Sequence, residues 1–188
     1  MEKIKKLKKI FNNEKIDGYI IPKNDEFFGE YLPDHKDRLK FISDFTGSYG
    51  FALILNNKNY LFVDGRYTLQ ANKQSANSFE IKTIPQKLPS DILKNKNFKI
   101  GYDSKLFTKR TLKLFFGKTK CSYIALDKNL VDVVWKRKKS MTKGKFYKLP
   151  DSAVGENYES KIKKITSKMK KKGACLLYTS DAADEEDS

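Results

Sequence analysis

The chain has 188 residues, room for one ordinary domain and part of a second, and a domain of this size buries roughly 70% of the surface its unfolded chain exposes. Its 39% apolar and 13% aromatic content fits a globular protein, and no apolar run approaches the ~20 residues that cross a bilayer, which excludes a transmembrane helix. A formal charge of +16 invites a nucleic-acid or anionic-membrane partner, yet only four of the 39 basic residues are arginine (Arg38, Arg66, Arg110 and Arg137). The lysines run along the whole chain beside many Asn and Ile, the bias an AT-rich genome produces, so composition alone points to solvated lysine faces. Only a cluster of them on the folded surface would reopen the nucleic-acid question.

In chain order, Glu2 to Asn13 is predicted helical, with Ile4, Leu7, Ile10 and Phe11 spaced along one face and not bunched into the apolar core of a signal peptide. Gly18 to Pro22 reads as a strand, and His35 to Asp44 as a helix with Leu39, Phe41 and Ile42 turned inward. The densest stretch follows. Phe51 to Leu55 and Tyr60 to Val63 form a β-hairpin around a polar Asn-Asn-Lys-Asn loop, and both strands are apolar enough to be buried on two faces. Asp64-Gly65 then stops the second strand, and the Asp64 carboxylate is placed to cap the helical pattern from Arg66 to Ala76. A strand at Phe79 to Ile84, a short helix from Pro89, a strand at Phe98 to Gly101, a helix from Thr108 to Phe116, a strand at Ser122 to Leu126 and a helical turn at Leu130 to Trp135 complete the alternation. A hairpin requires antiparallel pairing and helical crossovers allow parallel pairing, so the fold class expected is α/β, a mixed β-sheet flanked by helices.

Several of these segments resemble the N-terminal domain of the creatinase and aminopeptidase P (Xaa-Pro aminopeptidase) family. The run Asp25-Glu26-Phe27-Phe28-Gly29-Glu30-Tyr31-Leu32-Pro33, then Arg38-Leu39, then Phe45-Thr46-Gly47-Ser48-Tyr49-Gly50, is similar to the family's "D-E-x-x-x-E-Y-x-P … R-L … G-F-T-G-S-x-G" pattern. Asp44 stands where that pattern usually has Gly. Leu61-Phe62-Val63-Asp64-Gly65-Arg66-Tyr67 resembles its "L-F-V-D-G-R-Y" element, and Ile100 to Asp103 and Asn129 to Trp135 resemble its later "I-G-x-D" and "N-L-V-D-x-I-W" segments. The resemblance spans about residues 15–174 in order.

It implies a creatinase-type N-terminal domain over residues 1–135, a linker over 136–152, and the first helix of a truncated second domain over 153–174, whose apolar stripe of Tyr158, Ile162, Ile165 and Met169 would lack a partner. Residues 175–185 resemble something else, the in-frame translation of a sequencing-library adapter, so residues 175–188 are expected to be an artefact and the natural sequence to depart after Ala174. Setting that tail aside removes five acids and no base, raising the formal charge from +16 to +21. It also leaves Cys121 as the one cysteine, a packed thiol that fits a reducing cytoplasmic setting.

Family members hydrolyse the bond before a proline at the second position, using two divalent metal ions (Mn or Zn) held by two Asp, one His and two Glu in a C-terminal domain. This chain has a single His, His35, at a helix start beside Asp34 and Asp37, where a solvated helix-end role is expected. Asp25, Glu26 and Glu30 could mimic paired catalytic carboxylates, but the resemblance gives them a structural or rim role. Ser48 lacks G-x-S-x-G spacing and a histidine base. No catalytic or metal-binding residue is therefore expected here. Glu30, Tyr31, Arg38, Gly47, Ser48, Gly50, Asp64, Gly65, Arg66 and Tyr67 are expected to be structural: the glycines for turns or close backbone approach, Asp64 with Arg66 as a local ion pair, Arg38 reaching a carboxylate of the same region.

The reading is a non-catalytic fragment of a metallopeptidase, partnered with a missing catalytic domain and a second copy in a homo-oligomer, serving assembly and active-site access. The alternatives are a catalytically dead binding module like one in a histone-chaperone subunit, and a basic nucleic-acid binder.

Overall fold

A computed structural model describes residues 2–29, 31–136 and 146–177. The chain divides into two compact units, residues 1–139 and 140–188.

The first unit is built on a six-stranded sheet. Its strands are β1 (Gly18–Pro22), β2 (Gly50–Leu55), β3 (Asn59–Asp64), β4 (Glu80–Ile84), β5 (Lys99–Asp103) and β6 (Ser122–Leu126), in the spatial order β4-β3-β2-β1-β5-β6. The β1–β2 and β2–β3 pairs are antiparallel, while β3–β4, β1–β5 and β5–β6 are parallel. The sheet is therefore mixed, as hairpin plus crossovers predicts.

Both faces are covered, which explains why the central strands are apolar at every position. Tyr19, Ile21, Ala52, Ile54, Leu61 and Val63 point to one face, where they meet α1 (Glu2–Glu14), α2 (Arg38–Ser43), α3 (Thr68–Ser75) and α6 (Leu130–Val134). Ile20, Phe51, Leu53, Leu55, Phe62 and Ile100 point to the other, under α4 (Pro89–Leu93) and α5 (Lys109–Phe116). Fully burying one such Leu, Ile or Phe contributes about 1.5–3 kcal/mol, so the two layers are the main source of stability. Phe51 and Phe62 stack across the hairpin with ring centroids 5.0 Å apart. Trp135, just after α6, stacks on Phe41 of α2 at 4.7 Å.

Two predicted helices come out shorter. The segment from His35 splits into a 3-10 turn at Asp34–Lys36 and α2, because Asp37 lies between them and its carboxylate accepts the Lys40 N–H as the α2 cap. The helix expected from Arg66 is preceded by a 3-10 turn at Gly65–Tyr67, held by the Asp64 carboxylate accepting from the Arg66 N–H. Asp44, at the position where the family pattern has Gly, ends α2 with a left-handed φ of 63°. That conformation explains the pattern: Gly adopts it without strain, and Asp is among the few other residues that tolerate it.

The second unit contains α7 (Asp151–Val154) and α8 (Tyr158–Lys171). Asn157 caps α8 by accepting from the Ser160 N–H, and Tyr158, Ile162 and Ile165 are exposed.

Candidate functional site

Gly47, Ser48, Gly50, Asp64, Gly65, Arg66 and Tyr67 gather where β2 begins and β3 ends. Ser48 Oγ lies 2.6 Å from the Tyr67 hydroxyl, and the Tyr67 ring meets Phe45 edge-on at 6.0 Å. Gly47 must be glycine for space: a Cβ there would stand 2.3 Å from the buried Phe45 ring. At Gly50 a Cβ would come 2.7 Å from the Phe62 carbonyl oxygen, so the hairpin can close only around a residue without one.

Beyond the turn, Asp64 accepts from both Arg66 N and Arg66 Nε at 2.9 Å, and the guanidinium lies 5.7 Å from the centre of the Tyr67 ring. The Arg66 hydrogen bonds hold the Asp64 carboxyl below its ordinary pKa, while burial, with the Asp64 charge adding to it, raises the Tyr49 phenol. The expected Asp64–Arg66 ion pair is thus present, with Arg66 largely solvated.

Sequence reasoning missed the residues that hold this loop from behind. Thr46 donates its N–H to Gln74 Oε1 at 3.0 Å, and its hydroxyl accepts from Gln74 Nε2 at 2.9 Å and Gln70 Nε2 at 2.7 Å. The signal was present only as two glutamines four residues apart, which share a helix face.

A second unanticipated pair lies beneath Tyr31. The Lys23 ammonium is 2.6 Å from Asp37 Oδ2, with side chains 8% and 6% exposed. Together with Tyr31, Asp34, Lys40 and Ser48 they line an open cleft of about 260 Å³. Tyr31 is 87% exposed at its mouth, near the exposed Phe27 and Phe28. Lys36 joins Glu26 at 2.7 Å and Asp25 at 3.3 Å, and the hydrogen bond to Glu26 is the main reason the Lys36 pKa is raised. Glu30 lies outside the described residues.

Arg38 departs from expectation. It does not join a carboxylate of the motif loop but grips Asp132 from the far segment, with Nε to Oδ1 and Nη2 to Oδ2 both 2.8 Å. The two lie 94 positions apart and belong to different family-like motifs, so spacing alone could not pair them. Around them lies a cavity of about 430 Å³, into which Asp103 and Asn129 also face. Asn129 Nδ2 donates to Asp103 Oδ2 at 3.0 Å, and its own Oδ1 caps α6 through the Val131 N–H. The Tyr19 hydroxyl accepts from the Leu130 N–H at 3.3 Å, and burial pushes its pKa upward.

Among the described residues no group of three or more His, Cys, Asp and Glu side chains converges to hold a metal ion. His35 is exposed on the 3-10 turn, and Asp25 and Glu26 share Lys36. The donor set here does not fit a two-metal centre, and no chemical step follows from it. Among the described residues no helix is long and apolar enough to cross a membrane.

The description "Creatinase/Prolidase N-terminal domain" matches residues 3–128. Xaa-Pro aminopeptidase 1 of Dictyostelium discoideum is 32% identical over 98% of this chain and 32% of its own length. A Coprinopsis cinerea protein named "Probable Xaa-Pro aminopeptidase P" is 32% identical over 92% of this chain and 30% of its own. The crystal structure of the X-prolyl aminopeptidase from Caenorhabditis elegans, described as a cytosolic enzyme with a di-nuclear active site, superposes with a TM-score of 0.71 at 26% identity, over 92% of this chain and 31% of that one. The chain thus spans about a third of the length of these relatives. With a mixed sheet, the hairpin and turn motifs in place and residues 3–128 matched, it belongs to the creatinase/prolidase family through that family's N-terminal domain.

Proposed function

We propose that this chain is the non-catalytic N-terminal part of a Xaa-Pro aminopeptidase-like metallopeptidase, a cytoplasmic hydrolase whose remaining part removes an N-terminal residue preceding proline. The observation that carries the reading is one of coverage. Some 92% of the chain aligns with only 30% of an aminopeptidase P relative, while its described side chains offer no metal-binding group. The two divalent ions, Mn or Zn, would be held by the part not covered here. Support for the cytoplasmic assignment comes from the cytosolic description of the C. elegans relative.

In this reading the motif face supplies assembly and access. Its Ser48–Tyr67 and Asp64–Arg66 contacts hold a polar loop in place, and the exposed Tyr31, which lines a cleft with Ser48, serves as a rim for a catalytic domain or a second copy to meet. Residues 1–135 form the domain, 136–152 the linker and 153–174 the opening of the next domain, with α8 (Tyr158–Lys171) as its long helix and 175–188 foreign to the natural sequence. The purified chain, assayed with Mn or Zn on a peptide carrying proline at its second position, is expected to release no N-terminal residue. Metal-dependent release would overturn the non-catalytic assignment. Sequencing the gene across Ala174 is expected to continue into a domain with two Asp, one His and two Glu as metal ligands. A continuation without them would instead favour a binding module.

A further inference from the structure

The folded surface reopens a question that composition had pointed away from. Between residues 92 and 126 there is one acid, Asp103, which is buried and committed to Asn129 and the Lys105 N–H. The same stretch carries nine cations: Lys94, Lys96, Lys99, Lys105, Lys109, Arg110, Lys113, Lys118 and Lys120. All nine are exposed, and among the described residues none has an ion-pair partner.

Six of them collect at one end of the sheet. Lys94 caps α4, Lys113 lies in the last turn of α5, and Lys118 and Lys120 follow that helix into β6. Lys99 opens β5 opposite Ser122, Ser122 N donates to the Phe98 carbonyl at 2.9 Å, and Cys121 Sγ reaches the Lys96 carbonyl at 3.4 Å. These bonds bring the 94–99 and 118–122 segments side by side. The Asp17 carboxylate at this end is occupied by the Lys99 N–H at 2.8 Å.

We infer that this lysine cluster is a docking surface for the phosphate backbone of a nucleic acid, bound without regard to sequence. Two features favour that occupant. The patch lacks apolar anchors: among the described residues from 92 to 126, the one large exposed hydrophobic side chain is Leu114. Protein interfaces are depleted in lysine and centre on buried aromatic or aliphatic groups, and lipid-surface helices need an apolar face to insert. The scarcity of arginine that counted against base recognition fits this narrower role, because lysine meets phosphate as a point charge and carries little base readout. The inference stands apart from the peptidase reading.

The test is fluorescence anisotropy of a short labelled DNA duplex with the full chain across a salt series. Six phosphate contacts at about 0.9 released counterions each give an expected slope of about −5 in log affinity against log salt. Lys96→Gln/Lys99→Gln/Lys118→Gln/Lys120→Gln is expected to weaken binding more than ~10-fold and flatten the slope by about 4. A control removing the same charge elsewhere, Lys5→Gln/Lys9→Gln/Lys73→Gln/Lys87→Gln, is expected to shift affinity less than ~3-fold, consistent with net charge being a weak, screened contribution. Replacing the four cluster lysines by arginine should retain binding, and circular dichroism checks that each variant is folded. An equal loss in the control would reduce the effect to net charge and overturn the inference. So would absence of binding at low salt, or tighter binding to phosphatidylserine vesicles or to polyglutamate than to the duplex.

Discussion

Around β1, α2 and the hairpin, cations face carboxylates: Lys23 with Asp37, Lys36 with Glu26, Lys40 with Asp34, Arg38 with Asp132, Arg66 with Asp64. Around α4, α5 and β6, nine exposed cations have no such partner among the described residues. An apolar cluster lies beneath each region, and the contrast is in the charged side chains above it. In the first region charge is spent internally, pinning loops that carry the family motifs. In the second it is left facing solvent, where it contributes little to the fold and is available to an outside anion.

That contrast predicts unequal costs for comparable substitutions. The largest belongs to Asp37→Ala, which strands a buried Lys23 ammonium and removes the α2 cap together. A loss of about 3–5 kcal/mol in urea unfolding is expected. A cost below about 1 kcal/mol would mean that Lys23 simply turns to solvent and that the pairing is incidental. Next comes Arg38→Lys, which keeps the charge but cannot make the two-pronged grip on Asp132. About 1–2 kcal/mol is expected, discounted because Asp132 is about a third exposed. The smallest effect should come from Lys96→Gln, Lys118→Gln or Lys120→Gln, each within about 0.5 kcal/mol of the parent chain. A larger stability change at any of these lysines would show that the cluster is also part of the fold and blur the distinction between the regions.

How much of this was legible beforehand depends on the range of the interaction. The hairpin and the stop and cap at Asp64-Gly65 were readable because they act over two to four residues, the reach of turn and cap chemistry. The Asp64–Arg66 pair belongs to the same class. Arg38 shows where that reach ends: its partner could be seen only once β5 and β6 had brought the 129–135 segment back over α2. The Thr46–Gln70–Gln74 latch and the Lys23–Asp37 pair are hidden for the same reason, since each joins segments separated by a strand or a turn of unspecified geometry.

The sequence by itself determined the class of fold, the order of its elements and the family, because periodicity, turn residues and motif runs are local and survive without coordinates. Only the tertiary structure decided which charges meet. Electrostatic pairing depends on distances of a few ångströms between residues tens of positions apart. It was therefore folding, and not composition, that neutralised the cations around the motif loops and gathered the unpaired lysines at one end of the sheet.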